Sequence, residues 1–233
     1  MKSINIKGKL FDLSSPIAMG ILNATPDSFF DGGNYSTLKS GLKRAEEILN
    51  EGAKMIDIGG YSTRPGAAKV TEKEELSRVL PLVKEIKNQF KDAVISMDTF
   101  NRNVAEKAIE NGSDLVNDVS GGELDKTMFD FISDSKTPYI MMHMKGSPQN
   151  MHKHTNYTHL INELLSYFNQ KIEKLKANGV HDIIIDPGFG FSKTIEQNYE
   201  ILKSLDVFKI LNKVMLVGVS RKSMIYKYLK IES

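Results

Sequence analysis

No cysteine occurs among the 233 residues, so disulfides, thiolate metal sites and a cysteine nucleophile are excluded, and at this length one core stands without such staples. Charge of one sign is also scarce: 31 Lys and Arg face 29 Asp and Glu, a formal net charge of +2, with the two signs alternating along the chain. That balance gives no field for non-specific nucleic-acid binding, so nucleic acid is not an expected partner and any bound anion is met by a few local groups. Met1 to Lys7 has no apolar stretch fit for a signal peptide, and no uninterrupted apolar run approaches membrane-spanning length. A cytoplasmic protein with no membrane partner is expected. Familiar motifs are lacking too. There is no G-x-x-x-x-G-K phosphate loop, and after Gly188 and Gly190 the third position of a dinucleotide fingerprint is Lys193. Gly218 to Lys222 lacks the last glycine of a nucleophile elbow, and His152, His154 and His159 offer no helical i, i+4 pair for zinc.

What is present is a repeated unit. Short β-branched or Met-rich runs at Ile17 to Leu22, Met55 to Ile58, Val94 to Met97, Leu115 to Val119, Tyr139 to Met142, Ile183 to Ile185 and Met215 to Val219 read as seven buried strands. Helical patterns lie between them. Leu38, Leu42, Ala45 and Leu49 stop at Gly52; Val104, Ala105, Ala108 and Ile109 stop at Gly112; Leu160, Leu164, Phe168, Ile172 and Leu175 stop at Gly179. Another helix opens with a capping box, Thr71 and Glu74, and Pro81 should bend it. Alternation of strand and helix predicts a parallel sheet buried on both faces. Asn23, Asp57, Asp98, Asn117, His143 and Asp186 all lie at C-terminal strand ends. Several polar strand ends at once favour a (β/α) barrel over a doubly wound sheet, although Asp57 or Asn117 taken singly could equally cap a helix. Residues 1–233 read as one domain, with the first fifteen or so forming a hairpin under the barrel floor.

Four loops are rich in Gly, Pro, hydroxyls and charge. Asn23 to Gly33 combines an amide, hydroxyls and carboxylates with Phe29 and Phe30. Gly59 to Gly66 offers backbone N–H groups, Ser62, Thr63 and Arg64, which suit a phosphate or pyrophosphate. Asp186 to Phe191 sets a carboxylate beside Phe189 and Phe191, as a flat heterocycle with N–H donors would need. Ser220 to Ser223 is cationic at a helix start. The residues alone suggest a planar nitrogen heterocycle carrying phosphate; lid packing for the two Phe and a surface ion pair for Arg64 remain alternatives.

The runs Met19-Gly20-Ile21-Leu22-Asn23-Ala24-Thr25-Pro26-Asp27-Ser28-Phe29 and Ile56-Asp57-Ile58-Gly59-Gly60-Tyr61-Ser62-Thr63-Arg64-Pro65-Gly66-Ala67 resemble the two signatures of the dihydropteroate synthases. The segments around Asp98, Asn117, Met142, Asp186 and Lys222 follow in that family's order. The resemblance implies a TIM barrel, an α/β fold, that joins 4-aminobenzoate to 6-hydroxymethyl-7,8-dihydropterin pyrophosphate, releases pyrophosphate and is the target of sulfonamides. It implies that Asp98, Asn117, Asp186 and Lys222 grip the pterin, with Met142 on its face and Gly190 at the loop. Asn23 would ligate Mg²⁺ at the pyrophosphate, Thr63 and Arg64 would contact that group, and Phe29, Pro65, Phe191 and Ser223 would line the aminobenzoate pocket. Asp98, Lys222 and Arg64 are the expected catalytic residues, and a homodimer formed by C-terminal helices is the expected assembly. The Ser-Thr-Arg-Pro-Gly run argues against the related corrinoid methyltransferases, which handle no pyrophosphate; a non-catalytic pterin-binding module is the other rival. Two departures stand out: Tyr61 replaces an acidic or amide residue, with only loop packing expected to differ, and the eighth βα unit of the family is not seen. The expectation is a longer natural chain or a partner segment that completes the barrel, with residues 1–233 alone poorly soluble or inactive.

Overall fold

The computed structural model describes residues 3–24, 34–61 and 70–231. Strands β1 (Ser3–Ile6) and β2 (Lys9–Asp12) pair antiparallel around a turn in which Lys7 and Gly8 take positive φ. The chain then alternates through β3 (Met19–Asn23), α1 (Asn34–Asn50), β4 (Met55–Gly59), α2 (Glu72–Gln89), β5 (Val94–Asp98), α3 (Arg102–Glu110), β6 (Leu115–Asp118), α4 (Met128–Ser135), β7 (Tyr139–Met142), α5 (Leu160–Ala177), β8 (Ile183–Asp186), α6 (Ile195–Lys203), β9 (Val214–Met215) and α7 (Ser223–Leu229). The strands β3 to β9 lie side by side in sequence order, and every ladder between them is parallel. This is the curled sheet of a (β/α) barrel, with seven strands and no eighth among the described residues.

Strand periodicity divides the interior. Residues two apart share a face, and Met55, Val94, Leu115, Ile140 and Ile184 turn inward at the N-terminal ends of their strands. There they pack with Ile4 and Ile6 of the hairpin as an apolar floor. The alternate residues face the helices: Ile56, Ile58, Ile95 and Met97 meet α1 to α3. Tyr139, Met141, Ile183 and Ile185 meet Leu164, Phe168, Ile172 and Leu175 of α5. The hairpin is tied to the floor by Asn5 N, which donates to Asp182 Oδ1 at 2.8 Å, and by Lys7, whose Nζ lies 2.8 Å from Asp114 Oδ1. Asp114 also accepts from Ile95 N at 2.9 Å and from Lys87 Nζ at 2.7 Å, so one buried carboxylate joins the hairpin, α2 and β5.

Two local readings need correction. The last strand is Val214–Met215 and not the longer run to Val219. Among the described residues it pairs only with β8, whose ladder cannot continue because Pro187 has no N–H. The Thr71 cap of α2 is half of a capping box. Thr71 Oγ1 accepts from Glu74 N at 3.3 Å, but the Glu74 carboxylate turns to Arg78 at 2.5 Å, and the helix continues through Pro81. The reciprocal box occurs instead at Thr194 and Gln197, opening α6. Among the described residues no helix is long and apolar enough to cross a membrane.

Phe168 is fully buried where α5 meets β7 and β8. Phe168→Ala should lower unfolding free energy by about 3 to 5 kcal/mol, through lost transfer energy and the cavity left behind, as read by urea denaturation.

Candidate active site

Above the apolar floor the same inward rows become polar. Two residues beyond Met55 stands Asp57; beyond Val94 come Ser96 and Asp98; beyond Leu115, Asn117; beyond Ile140, Met142; beyond Ile184, Asp186. The register sets these against one another. Asp57 lies opposite Ser96, Gly59 opposite Asp98, Asp98 opposite Asn117, and Met142 opposite Asp186. Asn23 at the end of β3 lies opposite Gly59 in the same row, with an exposed side chain. Gly59 has a steric reason: a Cβ there would stand 3.1 Å from Asp98 Oδ2.

Asn117 Nδ2 donates to Asp57 Oδ2 at 2.9 Å, which leaves the Asn117 amide oxygen as an acceptor for something else. Asp57 Oδ1 and Ser96 Oγ are buried without a hydrogen bond of ordinary geometry among the described residues, so the bowl holds unused hydrogen-bonding capacity. Asp186 Oδ1 accepts from Gly188 N at 2.7 Å. Burial pushes the carboxyls of Asp57 and Asp186 up to about 6; in Asp57 the neighbouring Ser96 hydroxyl and the Asn117 bond oppose the rise, and in Asp186 the Gly188 bond and Lys222 oppose it. Burial also raises Asp98 well above the usual carboxylate range, aided by the charges of Asp57 and Glu75. Lys222 is the nearby cation: burial lowers its ammonium, while Asp186 and Asp98 draw it back up. Its Nζ stands 4.5 Å from the centroid of the Phe191 ring. Gly190, at φ 80°, leaves room for the lysine stem, since a Cβ would meet Lys222 Cδ at 3.1 Å.

One wall of the bowl is apolar. Val119, Met142, Met144 and Met151 cluster there with Phe100 and Phe191. Tyr61 packs edge-on against Phe100 at 5.1 Å and accepts a hydrogen bond from Gln149, so it ties loops together at the rim. Three carboxylates, an amide and an ammonium beside a Met and Phe wall suit a flat heterocycle that offers several N–H donors from its edge.

The fold therefore brings together Asp98, Asn117, Met142, Asp186, Gly190, Phe191 and Lys222, with Ser223 following as the first residue of α7. Phe29, Thr63, Arg64 and Pro65 lie outside the described residues. Two residues that the sequence drew attention to lie away from the bowl. His143, at the end of β7 as read, continues the outward row of Tyr139 and Met141 and packs among Tyr157, Tyr167 and Phe168. Phe189 is buried in the helix-side core, neither beside a ligand place nor in a lid. Asp57 was met only as a polar strand end and Ser96 was not singled out, yet their spacing of two from Met55 and Val94 carries the signal.

Residues 19–233 match the profile of the family described as "Pterin binding enzyme". The dihydropteroate synthase of Synechocystis sp. is 44% identical over 213 residues, which cover 91% of this chain and 73% of that protein. The crystal structure of Xanthomonas albilineans dihydropteroate synthase with 4-aminobenzoic acid superposes with a TM-score of 0.91 at 33% identity, covering 100% of this chain and 83% of that one. The same organism's enzyme in complex with 7,8-dihydropteroate gives a TM-score of 0.87 at 30% identity, covering 99% and 82%.

The raised carboxyl of Asp186 has a consequence for stability. Its proton is held more tightly in the folded chain, at about 6 against an ordinary 3.8. The folded state therefore pays a charging penalty above about pH 6 that fades as pH falls towards about 4. Asp186→Asn should raise stability by about 2 to 3 kcal/mol near pH 8 and by almost nothing near pH 4. Thermal unfolding at the two pH values checks both the sign and the window.

Proposed function

The chain belongs to the dihydropteroate synthase family, and on that premise we infer that its polar bowl holds 6-hydroxymethyl-7,8-dihydropterin pyrophosphate for attack by 4-aminobenzoate. The observation that carries this reading is the convergence of Asp57, Asp98, Asn117 and Asp186 from neighbouring strands on one inward face, with Lys222 beside them. The 2-amino group and ring N–H groups of a pterin supply the donors that the carboxylates and the Asn117 oxygen lack. The Met142 and Phe191 wall supplies a surface for the ring face.

The reaction breaks the bond between the exocyclic methylene and the pyrophosphate oxygen and forms one from the same carbon to the aniline nitrogen, which then loses a proton. Positive charge grows on the pterin as the leaving group departs. Asp98 and Asp186 are proposed to stabilise that charge: the pterin N–H donors and the growing cation would draw their burial-raised carboxyls into the ionised form, in a preorganised site of low polarity. Lys222 orients the pterin and stands between its edge and the incoming aminobenzoate, which Phe191 and Ser223 would flank. An aniline nitrogen is already nucleophilic, so no strong general base is needed. Thr63 and Arg64 are proposed for the pyrophosphate, and Phe29 and Pro65 for the far side of the aminobenzoate. Sulfonamides, which mimic aminobenzoate, are expected to compete for that place.

Asn23 offers one hard oxygen, and among the described residues no three His, Asp or Glu side chains are grouped as a metal cage. That donor set fits Mg²⁺ held by Asn23, water and the pyrophosphate itself. When bound, the ion would neutralise charge on the departing pyrophosphate. We also propose a cytoplasmic setting, in keeping with the cysteine-free composition, and a homodimer. Tyr228, Leu229 and Ile231, which are exposed at the end of α7, are consistent with the dimer.

Pyrophosphate release that requires both 4-aminobenzoate and Mg²⁺ is the deciding assay. Pterin binding without release would favour the non-catalytic module, and methyl transfer would favour the corrinoid relatives. Lys222→Ala should lower turnover by at least about tenfold through weaker pterin engagement, the loss expected for one or more charge-assisted bonds. Unchanged pterin affinity and unchanged sulfonamide binding in the presence of pyrophosphate would show that Lys222 has another role.

A further inference from the structure

Between the loops that leave β7 and β8 lies a buried cation that the reaction scheme leaves unused. Lys193 is nine-tenths buried or more, and its Nζ is ringed by acceptors: Phe191 O at 3.0 Å, Gly188 O at 3.1 Å, His143 Nδ1 at 3.1 Å and His143 O at 3.3 Å. All four belong to the two loops that leave β7 and β8. Burial, with Lys193 and Lys145 nearby, holds His143 neutral, its pKa down near about 2. A neutral ring with its hydrogen on Nε2 presents Nδ1 as an acceptor to the lysine. Burial pushes Lys193 itself down to about 7, and the Asp186 charge pulls it back up.

The residues that this amine holds are the ones that shape the pterin loop. Gly188 packs so closely on the His143 carbonyl that a Cβ would stand 2.2 Å from that oxygen, and its φ of 73° suits glycine. In that position the Gly188 N–H points at Asp186 Oδ1, 2.7 Å away. Three residues on, Phe191 carries the ring that faces Lys222. Fixing the carbonyls of Gly188 and Phe191 thus fixes the Asp186 carboxylate and the aromatic wall.

We propose that Lys193, seated on the carbonyls of His143, Gly188 and Phe191, is a positioning residue that sets the Asp186 carboxylate for pterin binding. It never touches the substrate. The proposal rests on the reading that Asp186 receives the pterin.

A double-mutant cycle on affinity for 6-hydroxymethyl-7,8-dihydropterin, measured by calorimetry, tests it. Lys193→Met keeps the length and removes every donor. It should weaken pterin binding at least about tenfold, the scale of one charge-assisted bond. In the Asp186→Asn background the same change should cost less than about threefold, because the group that Lys193 positions is already impaired. Should Lys193→Met fail to unfold cooperatively, Lys193→Gln enters the same cycle with the same expectation. Equal losses in both backgrounds, or undiminished affinity in the single variant, overturn the positioning role. Asp186→Asn alone decides the underlying reading: wild-type affinity there removes both ideas, whereas a loss there with additivity at Lys193 removes only this one.

Discussion

A strand can send only every second residue to one face, and in a parallel barrel that rule is applied to every strand in register. Its consequence here is a sharp vertical boundary inside the sheet. Met55, Val94, Leu115, Ile140 and Ile184 must share the interior with whatever stands two residues further on. Apolar side chains at the lower level bury against the hairpin; at the upper level the same rows deliver Asp57, Ser96, Asn117, Met142 and Asp186. A slip of one residue in any strand would turn its polar group into the helix-side core and its apolar neighbour into the bowl. Function and stability therefore share one register.

The polar level is electrostatically expensive. Asp57, Asp98 and Asp186 all have carboxyls raised by burial, and the cations near them, Lys222 and Lys193, have ammonium groups lowered by the same cause. Burial opposes both signs of charge, so neither set is fully satisfied by the other. A ligand that brings several N–H donors into the bowl supplies hydrogen bonds the protein does not make for itself. Such a site would be stabilised by a bound ligand, and Asp57 Oδ1 and Ser96 Oγ, buried and without a hydrogen bond of ordinary geometry among the described residues, are acceptors such a ligand could use.

Most of the sheet was legible in the sequence because buried parallel strands are near-continuous apolar runs, as in Tyr139 to Met142 or Ile183 to Ile185. The last strand was not, since an edge strand with one neighbour ends where its neighbour stops pairing. Helix α4 escaped because it has only eight residues, too few for its buried set Met128, Phe129, Phe131 and Ile132 to repeat. Helix α6 escaped because Ile201 and Asn198 are its only buried residues, and its real signal was the Thr194 and Gln197 box. Motif content drew attention to Asp98, Asn117, Asp186 and Lys222, which the fold gathers at one bowl. Counting strand ends put His143 at the right level, just past β7, but parity from Tyr139 decides the face and turns it away from the bowl. Lys193 was met only as a failed glycine position, and nothing short of the loop's three-dimensional path brings its amine to the carbonyls of Gly188 and Phe191.

That path also explains how the Lys222 side chain is held. Arg221 takes a left-handed conformation at φ 52°, and Lys222 follows in an extended one at φ −78° and ψ 146°, which directs its stem across Gly190. Only a residue without a Cβ, at the positive φ that Gly190 adopts, lets the stem pass so close. The ammonium then rests 4.5 Å from the centre of the Phe191 ring. Such a contact is worth about 0.5 to 2 kcal/mol, less than the sum of charge-assisted bonds that a bound ligand could offer. The ring therefore keeps Lys222 near Asp98 and Asp186 in a contact weak enough for a ligand to replace. Because Lys193 donates to the Phe191 carbonyl, the ring's place and the lysine's resting place depend on the same buried amine.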